Sequence, residues 1–152
     1  MALDFPQLVA DIRQESDWLL ECLHRLDGQE WDLPTPAQGW SIKDQVSHLA
    51  YFDDSALLAL TNPNKFRVHA DELMAGGMDF PDRIAAEHRR LSPDRLLDWL
   101  ADSGEQLLLA FAAEDPRRRL PWFGPDMSVA SSATARLMET WIRASVLHGY
   151  AD

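Results

Sequence analysis

One cysteine, Cys22, stands in 152 residues. That excludes an internal disulfide and a cysteine-rich metal site. On a helix face, Cys22 reads as a small apolar group rather than a nucleophile. No run approaches the roughly 20 apolar residues a membrane span requires. No secretory signal pattern opens the chain, because Asp4 comes early and no long apolar stretch follows. Basic residues are scarce, 14 against 25 acidic, for a formal charge of −11. Such a field repels nucleic-acid phosphates and anionic membranes. The only basic run is Arg117 to Arg119. Strand-like alternation is lacking, as are internal repeats and low-complexity tracts. The expectation is one cytoplasmic domain over residues 1–152, with no nucleic-acid or membrane partner.

What is present is helical periodicity. Asp4 to Leu26 carries Leu8, Ile12, Leu19, Leu23 and Leu26 on one stripe, with Asp4 as cap and Gly28 beyond the end. Gln29 to Trp40 is a loop broken by Pro34 and Pro36. Ser41 caps a second helix to about Thr61, and Asp44 falls where a carboxylate reaches back to the cap. Lys65 to Leu73 and Phe80 to Leu91 suggest short helices. Ser92-Pro93-Asp94 opens a long helix that ends before Asp115-Pro116. Gly104 inside it weakens the helix by about 1 kcal/mol relative to alanine, or admits a close neighbour. A rigid aromatic loop, Pro121 to Pro125, precedes the last helix, from about Ser128 to Leu147. Four long helices and two short ones predict an all-α four-helix bundle with long crossover loops.

Three features carry candidate chemistry. His48 lies beside the apolar stripe of the second helix, and Asp53 is a charged misfit within that stripe. Glu139 and Arg143 are four residues apart on the last helix, so they share a face. In a bundle, His48 and Glu139 from two helices can face one another and bind a divalent metal. Arg143 cannot ligate, because it stays protonated. The same residues also read as a hydrogen-bonded core histidine and a Glu139–Arg143 ion pair. Trp40 and Trp122 either pin their loops or wall a pocket. His69 and His88 read as surface histidines.

The segments Pro34–Asp54 (PTPAQGWSIKDQVSHLAYFDD) and Pro121–Trp141 (PWFGPDMSVASSATARLMETW) resemble the DinB-like superfamily. They are most similar to the metal-binding domain of mycothiol-dependent maleylpyruvate isomerases. The resemblance covers nearly the whole chain. It implies a DinB-like bundle carrying a divalent metal, zinc foremost, on one histidine and an E-x-x-x-H pair. His48 and Glu139 take the first two positions. The third falls on Arg143, which departs from the pattern. His148 is no simple replacement, since nine residues turn a helix by about 180°. The resemblance also implies a low-molecular-weight thiol and a small-molecule substrate, with Asp53 as a candidate catalytic group beside His48. The family often continues into a second small domain, which is not expected before Asp152.

Three readings follow. The first is a metal-binding domain related to thiol-dependent isomerases and S-transferases, impaired by Arg143. The second is a metal-free module in which Arg143, His48 and Glu139 line a pocket between helices, Arg143 grips a small carboxylate, and Trp40 and Trp122 are further pocket candidates. The third is a structural domain that forms a homodimer.

Overall fold

Local signals fix the helix ends. In this computed structural model the backbone is described for residues 2–148 and side chains for residues 2–147. Helix α1 (Phe5–His24) starts where Asp4 accepts a hydrogen bond from the Gln7 N–H at 3.0 Å. Helix α2 (Ile42–Thr61) has the full reciprocal cap. The Asp44 N–H donates to Ser41 Oγ, and the Ser41 N–H donates to the Asp44 carboxylate at 3.1 Å. Asn62 then does two jobs: it ends α2 and caps α3 (Pro63–Ala75) through the Lys65 N–H. Proline at α3's first position is compatible with a helix start, so this helix begins earlier and runs longer than the sequence suggests. Helix α4 (Phe80–His88) is short, and α5 (Pro93–Ala112) is capped by Ser92. Helix α6 spans Val129–His148.

The bundle consists of α1, α2, α5 and α6. Helix α2 lies along α5, α1 lies along both α5 and α6, and α6 also touches α2. Helices α3 and α4 pack on α2. The core has two halves. One joins Phe5, Ile12, Phe66, Leu107 and Phe111 near the α5–α6 connection. The other gathers Leu23, Trp31, Ile42 and Leu96 at the opposite end. Trp31, 2% exposed, pins the first loop as a packing residue.

One expectation about secondary structure is corrected. Arg119–Leu120 (β1) pairs antiparallel with Met127–Ser128 (β2), bracketing the aromatic loop. Two-residue strands are too short to show alternation, so periodicity cannot reveal them. Among the described residues, no helix is long and apolar enough to cross a membrane.

Candidate functional site

The site grows from α2. Its cap orients the helix so that His48, Phe52 and Asp53 face a space between α2, α5 and α6. A cavity of about 300 Å³ lies there. Its walls are mainly apolar and include Phe52, Phe80, Leu107, Phe111, Trp122 and Phe123. The aromatic loop is held by stacking: Trp122 lies parallel to Phe66 at 5.6 Å between centroids, and Phe123 stacks on Phe80 at 5.3 Å. That loop therefore both packs and lines a site.

The polar side chains that line the cavity are His48, Asp53, Ser132, Arg136 and Glu139. Asp53, 1% exposed, is clamped by Arg136, 8% exposed. Arg136 donates from Nε to Asp53 Oδ1 and from Nη2 to Oδ2 at 2.9 Å. Its Nη1 donates to the Thr140 hydroxyl. Burial pushes the Asp53 carboxyl above the usual carboxylate range, while the Arg136 guanidinium pulls it down. Asp53 thus serves an ion pair with Arg136 rather than hydrogen-bonding to His48. Gly104 sits over this pair, where an added Cβ would lie 3.8 Å from both partners. That is ordinary contact, so alanine would fit there.

His48 is packed between rings, 4.6 Å from Phe52 and 5.1 Å from Trp40 by centroids. Its Nδ1 is buried with no hydrogen-bond partner among the described residues. Burial, with the positive charge of Arg143 adding to it, holds the imidazole pKa down to about 3. His48 is therefore neutral at physiological pH. Trp40 covers His48 and donates from Nε1 to Asp82 at 2.8 Å, but it is not part of the cavity wall.

Arg143 is buried behind this surface at 9% exposure. Its Nη1 donates to the Glu139 carboxylate and, at 3.1 Å, to the Glu139 carbonyl, while Nε donates to the Gln45 carbonyl at 3.4 Å. The guanidinium faces Glu139 and the α2 backbone and does not line the cavity. Of the sequence candidates, the structure brings His48, Asp53, Glu139 and Trp122 onto one cavity. Trp40 and Arg143 stand behind His48. The His148 side chain lies outside the described residues. His69 and His88 belong to a separate cluster: His69 Nε2 is 2.7 Å from the Tyr51 hydroxyl, and His88 packs on Trp99.

The divalent metal that the resemblance implies needs a matching set of donors. A catalytic zinc site takes three protein ligands and one open position. Among the described residues, no three His, Cys, Asp or Glu side chains gather to hold an ion. A metal-bound histidine also donates its second ring N–H to an acceptor, and among the described residues His48 Nδ1 has none. The one carboxylate beside His48 on the cavity wall that is free of Arg136, Glu139, is paired with Arg143. These residues do not fit a metal held on protein ligands.

Comparison with known proteins places the fold. The family model for the mycothiol maleylpyruvate isomerase N-terminal domain matches residues 12–145. Two Mycobacterium tuberculosis proteins, Uncharacterized protein MT0041 and Uncharacterized protein Rv0036c, are each 44% identical over 137 residues. Those matches cover 88% of this chain and 52% of each relative. The chain thus spans about half the length of the curated relatives it matches. The crystal structure of a mycothiol-dependent maleylpyruvate isomerase superposes with a TM-score of 0.74 at 18% identity, covering 95% of this chain and 61% of that one. A histidine-to-alanine mutant of such an isomerase gives 0.73 over the same shares. At that identity the likeness is one of fold. Family match, sequence relatives and bundle agree: the chain belongs to the mycothiol maleylpyruvate isomerase N-terminal domain family.

Proposed function

We propose that this chain is a small-molecule-binding domain that receives a neutral low-molecular-weight thiol, or a small adduct of one, in the cavity beside His48, without a resident metal. The observation that carries this reading is the cavity's composition. Aromatic walls surround a neutral imidazole, and both nearby arginines are already ion-paired. Sulfur makes favourable contacts at aromatic ring edges, each worth about 0.3–1.5 kcal/mol. A volume of about 300 Å³ is at the small end for ligand sites.

Charge decides between a thiol and a carboxylate. Arg136 is neutralised by Asp53 and Arg143 by Glu139, so an entering carboxylate finds no unspent cation. A neutral ligand needs none.

His48 favours binding over acid–base work. A free thiol has a pKa near 8.5, and an imidazole held near 3 lies more than five units below it. Moving the proton from thiol to His48 is uphill by roughly 7 kcal/mol. His48 therefore offers a hydrogen bond, not a resting place for the proton.

A second reading keeps the family's metal, because His48 and Glu139 do share one cavity. It requires water or another group for the missing third ligand, and it requires Arg143 to release Glu139.

Titration calorimetry with phenylmethanethiol, a small neutral aromatic thiol, tests the proposal. One saturable site is expected. Ala135 lines the cavity yet is exposed, so Ala135→Trp plugs the opening with little cost to folding. Binding should fall at least about tenfold in that variant, since ligand sites bury most of the ligand surface. Equal binding in wild type and Ala135→Trp, or none in either, overturns the reading.

A further inference from the structure

Helix α6 turns a second face outward, away from the cavity. Met138 is 58% exposed, Trp141 63% and Ile142 48%. Residues 138, 141 and 142 fall on one side of a helix at the i, i+3, i+4 spacing. An exposed tryptophan flanked by methionine and isoleucine is the composition of an interface centre, and not of an ordinary surface. Trp141 stands between two shallow clefts formed with α1, and it lines both.

The walls of those clefts on the α1 side are acidic: Asp11, Glu15, Asp17 and Glu21. No lysine or arginine lines either cleft. None of the four carboxylates is in a salt bridge among the described residues. An apolar ridge beside an acidic wall has a definite complement, although Arg13 adds a positive charge near Asp17. We infer that this α1–α6 face docks a basic amphipathic helix of another protein. The helix's apolar side meets Met138, Trp141 and Ile142, and its lysines or arginines meet Glu15 and its neighbours.

Charge argues against a second copy of this chain as the occupant. Two such faces brought together would oppose acidic walls, on molecules that each carry a formal charge of −11. Like charges set against one another in an interface cost several kcal/mol. A basic partner gains from the same field and associates faster because of it. The inference is independent of what the cavity binds, since the two sites lie on different faces of α6.

The test uses the whole chain and two labelled synthetic helical peptides, one with leucine and lysine faces and one with leucine and glutamate faces. Fluorescence anisotropy should show saturable one-to-one binding of the lysine peptide and none of the glutamate peptide. Trp141→Ala should weaken the lysine peptide at least about tenfold, as central aromatic anchors do. Glu15→Lys should weaken it too and flatten its salt dependence. Circular dichroism confirms that both variants keep wild-type helicity. Binding unchanged by Trp141→Ala would mean mere attraction to a negative surface and would overturn the inference. Sedimentation showing a wild-type dimer that Trp141→Ala dissolves would overturn it as well, because a second copy would then cover the face.

Discussion

Arg136 on α6 holds Asp53 on α2 through both carboxylate oxygens, across the polar side of the cavity. The two residues are 83 positions apart, so the pair ties the last helix to the second. Each is less than 10% exposed. Removing one partner of a buried pair leaves an uncompensated charge, which costs about 3–5 kcal/mol. Replacing both with apolar groups of similar volume costs far less. Arg136→Met should therefore lower urea-unfolding stability by an amount in that range. Asp53→Leu combined with Arg136→Met should recover most of it. A loss below about 1 kcal/mol for Arg136→Met, the range of exposed pairs, would contradict the assignment.

Protonation of His48 gives a second expectation. Its folded pKa, about 3, lies below the ordinary histidine value of 6.5. Between those values the unfolded chain binds a proton that the folded one refuses. Stability must then rise with pH across that window and fall as pH drops below 6.5. From pH 6.5 to 5 the loss from this group is about 1.6 kcal/mol. Urea unfolding at those two pH values, in wild type and in His48→Gln, isolates it. The same pH slope in both proteins would show that His48 is not the group responsible.

The α2 cap sets the direction of the helix that carries His48. Ser41→Ala should cost about 1 kcal/mol, as loss of a cap hydroxyl does. Asp44 does more than Ser41. It receives the Ser41 N–H, and Arg89 donates to both of its oxygens at 3.2 and 3.3 Å. Asp44→Ala should cost about 2 kcal/mol or more, since hydrogen bonds to a charged group are worth about 1.5–3 kcal/mol. Thermal and urea unfolding of both variants checks the order. An Asp44→Ala protein more stable than Ser41→Ala would contradict the reciprocal cap.

Much of this was legible in the chain itself, for physical reasons that differ by residue. Ser41 and Asp44 signal locally, three residues apart, so their cap can be read without the fold. Glu139 and Arg143 share a helix face, and their pairing follows from helical geometry alone. Asp53 was visible as a misfit, a charge on an apolar stripe. Its partner is not legible there, because nothing local links positions 53 and 136. A signal did exist: Arg136 is the matching misfit on the α6 side shared by Val129, Ser132 and Thr140. Two opposite charges on two buried stripes are a reason to join them. The β1–β2 ladder left no trace, since two residues carry no period. That Arg143 turns inward toward Gln45 and Glu139 depends on how α2 and α6 meet, which is a tertiary fact.

Arg143 bears on metal affinity most directly. It sets a fixed positive charge beside His48 and occupies the Glu139 carboxylate. Arg143→His removes that cation, frees Glu139 and adds an imidazole one turn further along the same face. Zinc affinity measured by competition with a chromophoric chelator should rise at least about tenfold in the variant, since a third protein ligand completes the usual set. Unchanged affinity would contradict the view that Arg143 is what bars a metal.

In the proposed reading, the wild-type cavity works without a resident metal. Elemental analysis of the purified chain, before and after zinc loading and dialysis, tests it most directly. Two protein donors, one of them paired with an arginine, predict retention below about a tenth of an equivalent. Retention of about one equivalent, lost in both His48→Ala and Glu139→Ala, would contradict the claim and restore a metal to the site.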